Sequence, residues 1–194
     1  MGKIFCVMGK SSTGKDTIYK KILDNSELSL ERIVTYTTRP IRQGEQNGVE
    51  YYFTDEEGYK ALSASGKIVE ERVYNTVHGP WRYFTVDDEN IRENADYLVI
   101  GTLEAYSGLR KYFGENRVCP IFVTVDDGVR LQRALDREKQ QENPKYEELC
   151  RRFLADAADF SPEKISEAGI DKFFINNDLQ ECIAEIVEYI NMNK

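Results

Sequence analysis

The sequence predicts an α/β fold, a parallel β-sheet flanked by helices that carries an inserted mainly β lobe and a helical lid. Three observations support that reading. Short apolar runs at residues 3–8, 97–100, 118–125 and 173–175 are each followed by charged stretches of helical spacing, the alternation of buried strands beneath covering helices. Residues 33–86 break the alternation with a stretch rich in Tyr, Thr and Val, turning at Gly44, Gly48 and Gly79. Residues 127–160 break it again with a helical, densely charged pattern interrupted at Asn143-Pro144, which reads as two helices joined by an exposed tip.

Length and charge narrow the possibilities. A chain of 194 residues fills one domain with a substantial core, so residues 1–194 are expected to fold as a unit. Its 41% hydrophobic and 31% charged residues are those of an ordered soluble protein. A formal net charge of −8 repels nucleic-acid backbones and anionic membranes, so a small anionic ligand needs basic residues gathered in one place. Three groups meet that need: Lys10 with Lys15, Arg39 with Arg42, and Arg133, Arg137, Arg151 and Arg152. The N-terminus has neither the layout of a secretion signal nor the length of a membrane span, which points to the cytoplasm. Cys6, Cys119, Cys150 and Cys182 lie far apart without metal-ligand spacing, so free thiols are expected.

Taken in order, residues 3–8 form a strand because an apolar run containing Ile4, Phe5 and Val7 is bounded at once by Gly9. The next helix begins after Gly14 and places Thr17, Ile18, Ile22 and Leu23 at helical spacing. Between them, Gly9-Lys10-Ser11-Ser12-Thr13-Gly14-Lys15 has the glycine, four-residue, glycine-lysine spacing of a phosphate-binding P-loop. Gly9 and Gly14 permit the tight backbone path, amide N–H groups hold phosphate oxygens, and the helix dipole reinforces them. Lys15 would span the β- and γ-phosphates of ATP. Asp16 stands where most such loops have Ser or Thr, so no side chain is assigned as a metal ligand, and Thr17 is left to touch the α-phosphate. The loop does not name the phosphate acceptor, because motors, GTPases and kinases share it.

The inserted lobe is more specific. Thr35-Tyr36-Thr37-Thr38-Arg39-Pro40-Ile41-Arg42-Gln43-Gly44-Glu45, followed by Asn47-Gly48-Val49-Glu50-Tyr51, resembles the GMP-binding lobe of guanylate kinases. The resemblance implies that Arg39, Arg42 and Tyr51 hold the acceptor phosphate, that Thr35 faces the base and that Glu45 orients the arginines. Paired guanidiniums suit a phosphate dianion through bidentate contacts that lysine does not make. By the same resemblance Glu70, or else Glu71, contacts guanine, and Tyr83 and Thr85 reach the acceptor. Arg137 and Arg152, with Arg151 as a third candidate, would close over the transferring phosphoryl. Asn176 is either a contact to adenine or part of an Asn-Asp helix cap.

Departures from the family pattern are also visible. Thr102 stands at or beside the position of an aspartate that reads the guanine amino group, the glycine between Tyr83 and Thr85 is replaced by Phe84, and the tip at residues 138–146 is long. Arg133 reads as a surface ion-pair residue. His78, beside Gly79-Pro80, reads as a turn residue, and no base is needed for an acceptor phosphate already ionised at neutral pH.

The expectation is ATP-dependent phosphorylation of a nucleoside monophosphate, GMP first, by a monomer or homodimer, with Mg²⁺ held mainly through the nucleotide phosphates. Two alternatives remain: the same chemistry with another base, or a catalytically silent binding module that shares the fold.

Overall fold

The computed structural model of the chain describes residues 1–42, 44–76, 79–88 and 91–194; His78 lies outside them. Five parallel strands form the main sheet in the order β2-β7-β1-β8-β9: β2 Glu31–Arg32, β7 Tyr97–Ile100, β1 Ile4–Met8, β8 Val118–Thr124 and β9 Phe173–Ile175. β1 lies at the centre because every one of its side chains is apolar, and all five are completely buried.

Alternation along β1 divides the core in two. Ile4, Cys6 and Met8 point to one face and pack with Tyr97, Val99 and the helix α3 (Leu103–Phe113), through Leu103, Tyr106 and Leu109. Phe5 and Val7 point to the other face, where Ile18 and Ile22 of α1 (Lys15–Leu23) meet Cys182, Ile186 and Ile190 of α7 (Leu179–Asn193). Each large side chain buried in this way contributes about 1.5–3 kcal/mol. Both ends of β1 are thereby fixed, and with them the loop that leaves its C-terminal end.

A second, four-stranded sheet has the order β4-β3-β6-β5 and combines Tyr52–Phe53, Tyr36–Thr37, Gly79–Val86 and Ile68–Thr76. Asp55 caps the accompanying helix α2 (Glu56–Ala64) by accepting a hydrogen bond from the Gly58 amide. Arg82 clasps this unit together: it pairs with Glu56 and Glu71 and stacks over Tyr59, its Cζ 4.3 Å from the ring centroid.

Residues after β8 form α4 (Asp127–Lys139) and α5 (Tyr146–Asp159), followed by α6 (Pro162–Glu167). The break falls between Lys139 and Tyr146, across Asn143-Pro144, where proline disfavours helix for the residue before it. Cys6, Cys119 and Cys182 are buried free thiols and Cys150 is exposed. No helix among the described residues is long and apolar enough to cross a membrane.

Candidate active site

The loop from Gly9 to Lys15 joins β1 to α1, and its shape follows from its residues. Gly9 has φ 145° and Gly14 φ 91°, backbone that favours glycine, and Ser12 is held at φ 64°. A Cβ on Gly9 would collide with the Val123 carbonyl oxygen, and one on Gly14 with the amide nitrogen of Asn176. α2, α3, α4, α6 and α7 begin with a side chain that caps their first amides. α1 begins at Gly14 with no such cap, so its first-turn N–H groups are left for an anion.

The walls of the loop come from distant parts of the chain. Asn176 is 4% exposed and donates from Nδ2 to the Thr13 carbonyl oxygen at 2.7 Å, so it braces the loop from behind. The cap of α7 is Asp178, which accepts from the Gln180 and Glu181 amides. Thr13 is buried and donates to the Lys10 carbonyl oxygen at 2.9 Å. Lys10 pairs with Asp127 at 3.5 Å, Lys15 with Asp16 at 3.2 Å, and Thr17 is exposed on the first turn of α1.

Helices α4 and α5 reach this loop. Arg137 on α4 donates to the Ser12 hydroxyl at 3.2 Å, and Arg152 on α5 to the Ser11 hydroxyl at 3.3 Å. Arg151 instead pairs with Glu148 on its own helix. Arg133, read as a surface ion-pair residue, donates instead to the Asn176 carbonyl oxygen at 3.0 Å, just after β9.

Sequence reasoning missed the residues that tie lid to loop. Arg130, 1% exposed, pairs with Asp156 at 2.9 Å and with Asp127 at 3.0 Å, and stacks over Phe153. Asp156 in turn accepts from the Ser11 amide at 2.9 Å and from the Ser11 hydroxyl at 3.2 Å. Nη2 of Arg130 is buried without a partner, in the wall of a cavity of about 130 Å³ that Ser11, Ser12, Arg137 and Arg152 also line. The available signal was spacing: Arg130 lies seven residues before Arg137, and so on the same helix face.

On the other side of α1 the lobe presents a different arrangement. The Arg39 guanidinium, in a side chain 3% exposed, makes a fork to Glu45 at 2.9 and 2.8 Å, and its Cζ lies 5.4 Å from the Tyr51 ring centroid. Glu45 also accepts from the Arg42 amide at 2.8 Å. The bond from Arg39 holds the Glu45 carboxyl below its ordinary range, and the bond to Glu45 raises Arg39. Arg42 is exposed and its guanidinium bonds to no described residue, which makes it the open charge of the pair.

Thr35, Tyr51 and Tyr83 line a cleft of about 520 Å³ together with Asp16 and Lys20 of α1. Tyr83 packs edge-on against Tyr51, ring centroids 5.5 Å apart. Thr85 is 1% exposed and donates to Glu70 Oε1 at 2.7 Å, so it supports Glu70 from the neighbouring strand. Glu71 faces the other way, bonded to Arg82 and Tyr59. Thr102 caps α3 by accepting from the Ala105 amide.

Comparison with known proteins identifies the family. The sequence model of the guanylate kinase family matches residues 1–193. Guanylate kinase of Porphyromonas gingivalis is 26% identical over 193 residues, spanning 96% of this chain and 95% of that protein. Guanylate kinase of Malacoplasma penetrans is 30% identical over 137 residues, 71% of this chain and 58% of that protein. The crystal structure of guanylate kinase from Anaplasma phagocytophilum superposes with a TM-score of 0.63 over 98% of this chain and 85% of that one; at 24% identity this establishes the fold. A P-loop on the central strand, an acceptor-like lobe across α1 and a match over nearly the whole length place the chain in the guanylate kinase family.

Proposed function

We propose that this enzyme transfers the γ-phosphoryl group of ATP to GMP, with the loop and lid holding ATP and the lobe holding the acceptor. The observation that carries the reading is the shared cleft: Asp16, in the first turn of α1 directly after the loop, lines the same space as Thr35, Tyr51 and Tyr83 of the lobe. A nucleotide in the loop and a monophosphate in the lobe would thus meet end to end.

Each group acts by position and charge. The amides of the Gly9–Lys15 loop and the uncapped start of α1 cradle the phosphates of ATP; Lys15 spans the β- and γ-phosphates, and Thr17 is within the first turn for the α-phosphate. Lys10, Ser11, Ser12, Thr13, Gly14 and Asp16 complete that cradle, and Asn176 keeps its backbone in place. Arg42 with Arg39 and Tyr51 grips the acceptor phosphate, and Glu45 sets the guanidinium geometry. Glu70 and Thr35 face the base, supported by Tyr83 and Thr85. Arg137 and Arg152, which rest on the serine hydroxyls, turn toward the charge that develops on the transferring group.

We assign Mg²⁺ to the nucleotide phosphates, because Asp16 follows the loop lysine in place of the hydroxyl that holds the ion in most such loops. When bound, the ion neutralises phosphate charge. We place the reaction in the cytoplasm, with nucleotides as the partners and a monomer or homodimer as the working form. ADP release measured with GMP, dGMP, AMP and UMP tests the reading: turnover greatest with GMP supports it, and silence with all four rejects it.

A further inference from the structure

The acceptor cleft contains a charged residue that has no part in the account so far. Along β5, residues at even positions after the bulge at Ile68/Glu70 share one face, so Glu70 and Arg72 lie side by side. Their cross-strand partners, Thr85 and Tyr83, occupy the same face of β6. α3 lies against this block: a Cβ on Gly108 would collide with that of Glu70, so only glycine lets the helix approach so closely. Glu70 is therefore the inner member, with 4% of its side chain exposed, and Arg72 the outer, with 13%. Arg72 lines the 520 Å³ cleft with Tyr51 and Tyr83, and also the neighbouring cavity of about 780 Å³ with Thr102 and Glu104.

Hydrogen-bond capacity decides what this pair offers a base. The Glu70 carboxylate accepts from Thr85 Oγ1 at 2.7 Å, from Arg72 Nε at 3.1 Å and, at the longer distance of 3.5 Å, from Arg72 Nη2. A carboxylate has about four lone-pair sites, so about one remains. Guanine offers donors at N1 and N2, and Glu70 in this arrangement can serve about one of them. A guanidinium has about five N–H donors, and Arg72 spends two on Glu70, which leaves most of its donors for the cleft. The net surplus facing the cleft is of donors, and their complement on a purine is the acceptor pair O6 and N7.

We infer that Arg72 is a specificity-determining residue that donates to O6 and N7 of the acceptor base, while Glu70 orients Arg72 and takes one base N–H. The inference rests on the acceptor-site reading given above. It accounts for purine choice without a carboxylate at Thr102: guanine and hypoxanthine carry the O6 acceptor, whereas adenine turns an amino donor toward the same guanidinium. Arg72 compensates at one edge of the base for what Thr102 does not supply at the other.

The test compares kcat/KM for GMP, IMP and AMP in the wild type, Arg72→Met and Arg72→Lys. Arg72→Met is expected to lower GMP and IMP alike by roughly ten- to a hundred-fold, the worth of one bidentate arginine–base contact, with AMP and the KM for ATP unchanged. Arg72→Lys restores only part, because a single ammonium does not reproduce the fork. A loss with GMP but not IMP would trace the effect to the guanine 2-amino group rather than to O6 and N7, and an equal loss with all three would make Arg72 structural; either overturns the inference. A measurement on the unaltered enzyme does not depend on how the variants fold: 7-deaza-GMP, which lacks N7, should be used several-fold less well than GMP. Equal use of the two would also overturn it. Wild-type enzyme that phosphorylates none of these acceptors removes the acceptor-site reading itself, an outcome distinct from GMP turnover that ignores residue 72.

Discussion

In the proposed site, the donor and acceptor sides hold their charges in opposite ways. On the acceptor side the central contact is local: Arg39 and Glu45 are six residues apart, and Arg42 lies between them with its charge open. On the donor side the contacts are remote: Ser11 meets Asp156 across 145 residues, Ser12 meets Arg137 across 125, and Thr13 meets Asn176 across 163. The acceptor motif can therefore be formed by a short stretch of chain, whereas the donor cradle needs the whole fold. The difference teaches that the two halves of the site should fail differently, the first by losing affinity and the second by losing stability as well.

The sharpest contrast is chemical. On the proposed reading Lys15 spans the transferring phosphates, so Lys15→Ala is expected to lower kcat by at least about 10²–10³-fold, since electrostatic stabilisation is the main contribution to phosphoryl transfer. Steady-state kinetics at saturating ATP checks it, and a loss confined to KM for ATP would place Lys15 in ground-state binding alone.

Next in size is the buried ion pair between α4 and α5, whose carboxylate also holds the loop at Ser11. Asp156→Ala leaves the buried Arg130 with Asp127 as its remaining carboxylate partner and takes the acceptor from the Ser11 amide, so a loss of about 2–3 kcal/mol is expected. Thermal or urea unfolding measures it. The double variant Arg130→Leu with Asp156→Leu should recover a share, because the apolar pair removes the buried charge along with its partner. A double variant as unstable as the single would show that the penalty comes from Ser11.

The smallest effect belongs to the local motif. Glu45→Gln keeps the shape but loses the charge, and a stability loss of about 1 kcal/mol is expected at neutral pH. Because the Glu45 carboxyl is held below its ordinary range in the folded state, its contribution is present above that range. It is lost as pH falls through the folded value, so wild type and variant should converge in acid. Urea midpoints measured down a pH series check the sign; a gap that widens in acid would contradict it.

The same contrast explains what was legible in the sequence. The glycine loop, the strands around it and the helix from Glu56 to Ala64 are written in residues next to one another, and so could be read from spacing. The Arg39–Glu45 motif came instead from the family resemblance of one short stretch. Arg130 and Asp156 sit on different helices, and neither alone differs from a solvated charge until α4 and α5 pack over the loop. Arg133 was misread for that reason: its carbonyl partner belongs to a residue 43 positions away. Arg72 occupies a middle case, since two residues along a strand share a face and an Arg two after a Glu was a readable pair.

The central position of β1 has a consequence for synthesis on the ribosome. The Gly9–Lys15 loop is made before the partners of its strand, which begin at Tyr97 and Val118, and before Asn176, whose amide braces it. Until residue 176 is made, the growing polypeptide has the loop without the walls that shape it. A nascent chain should therefore acquire its grip on ATP late and abruptly rather than by degrees.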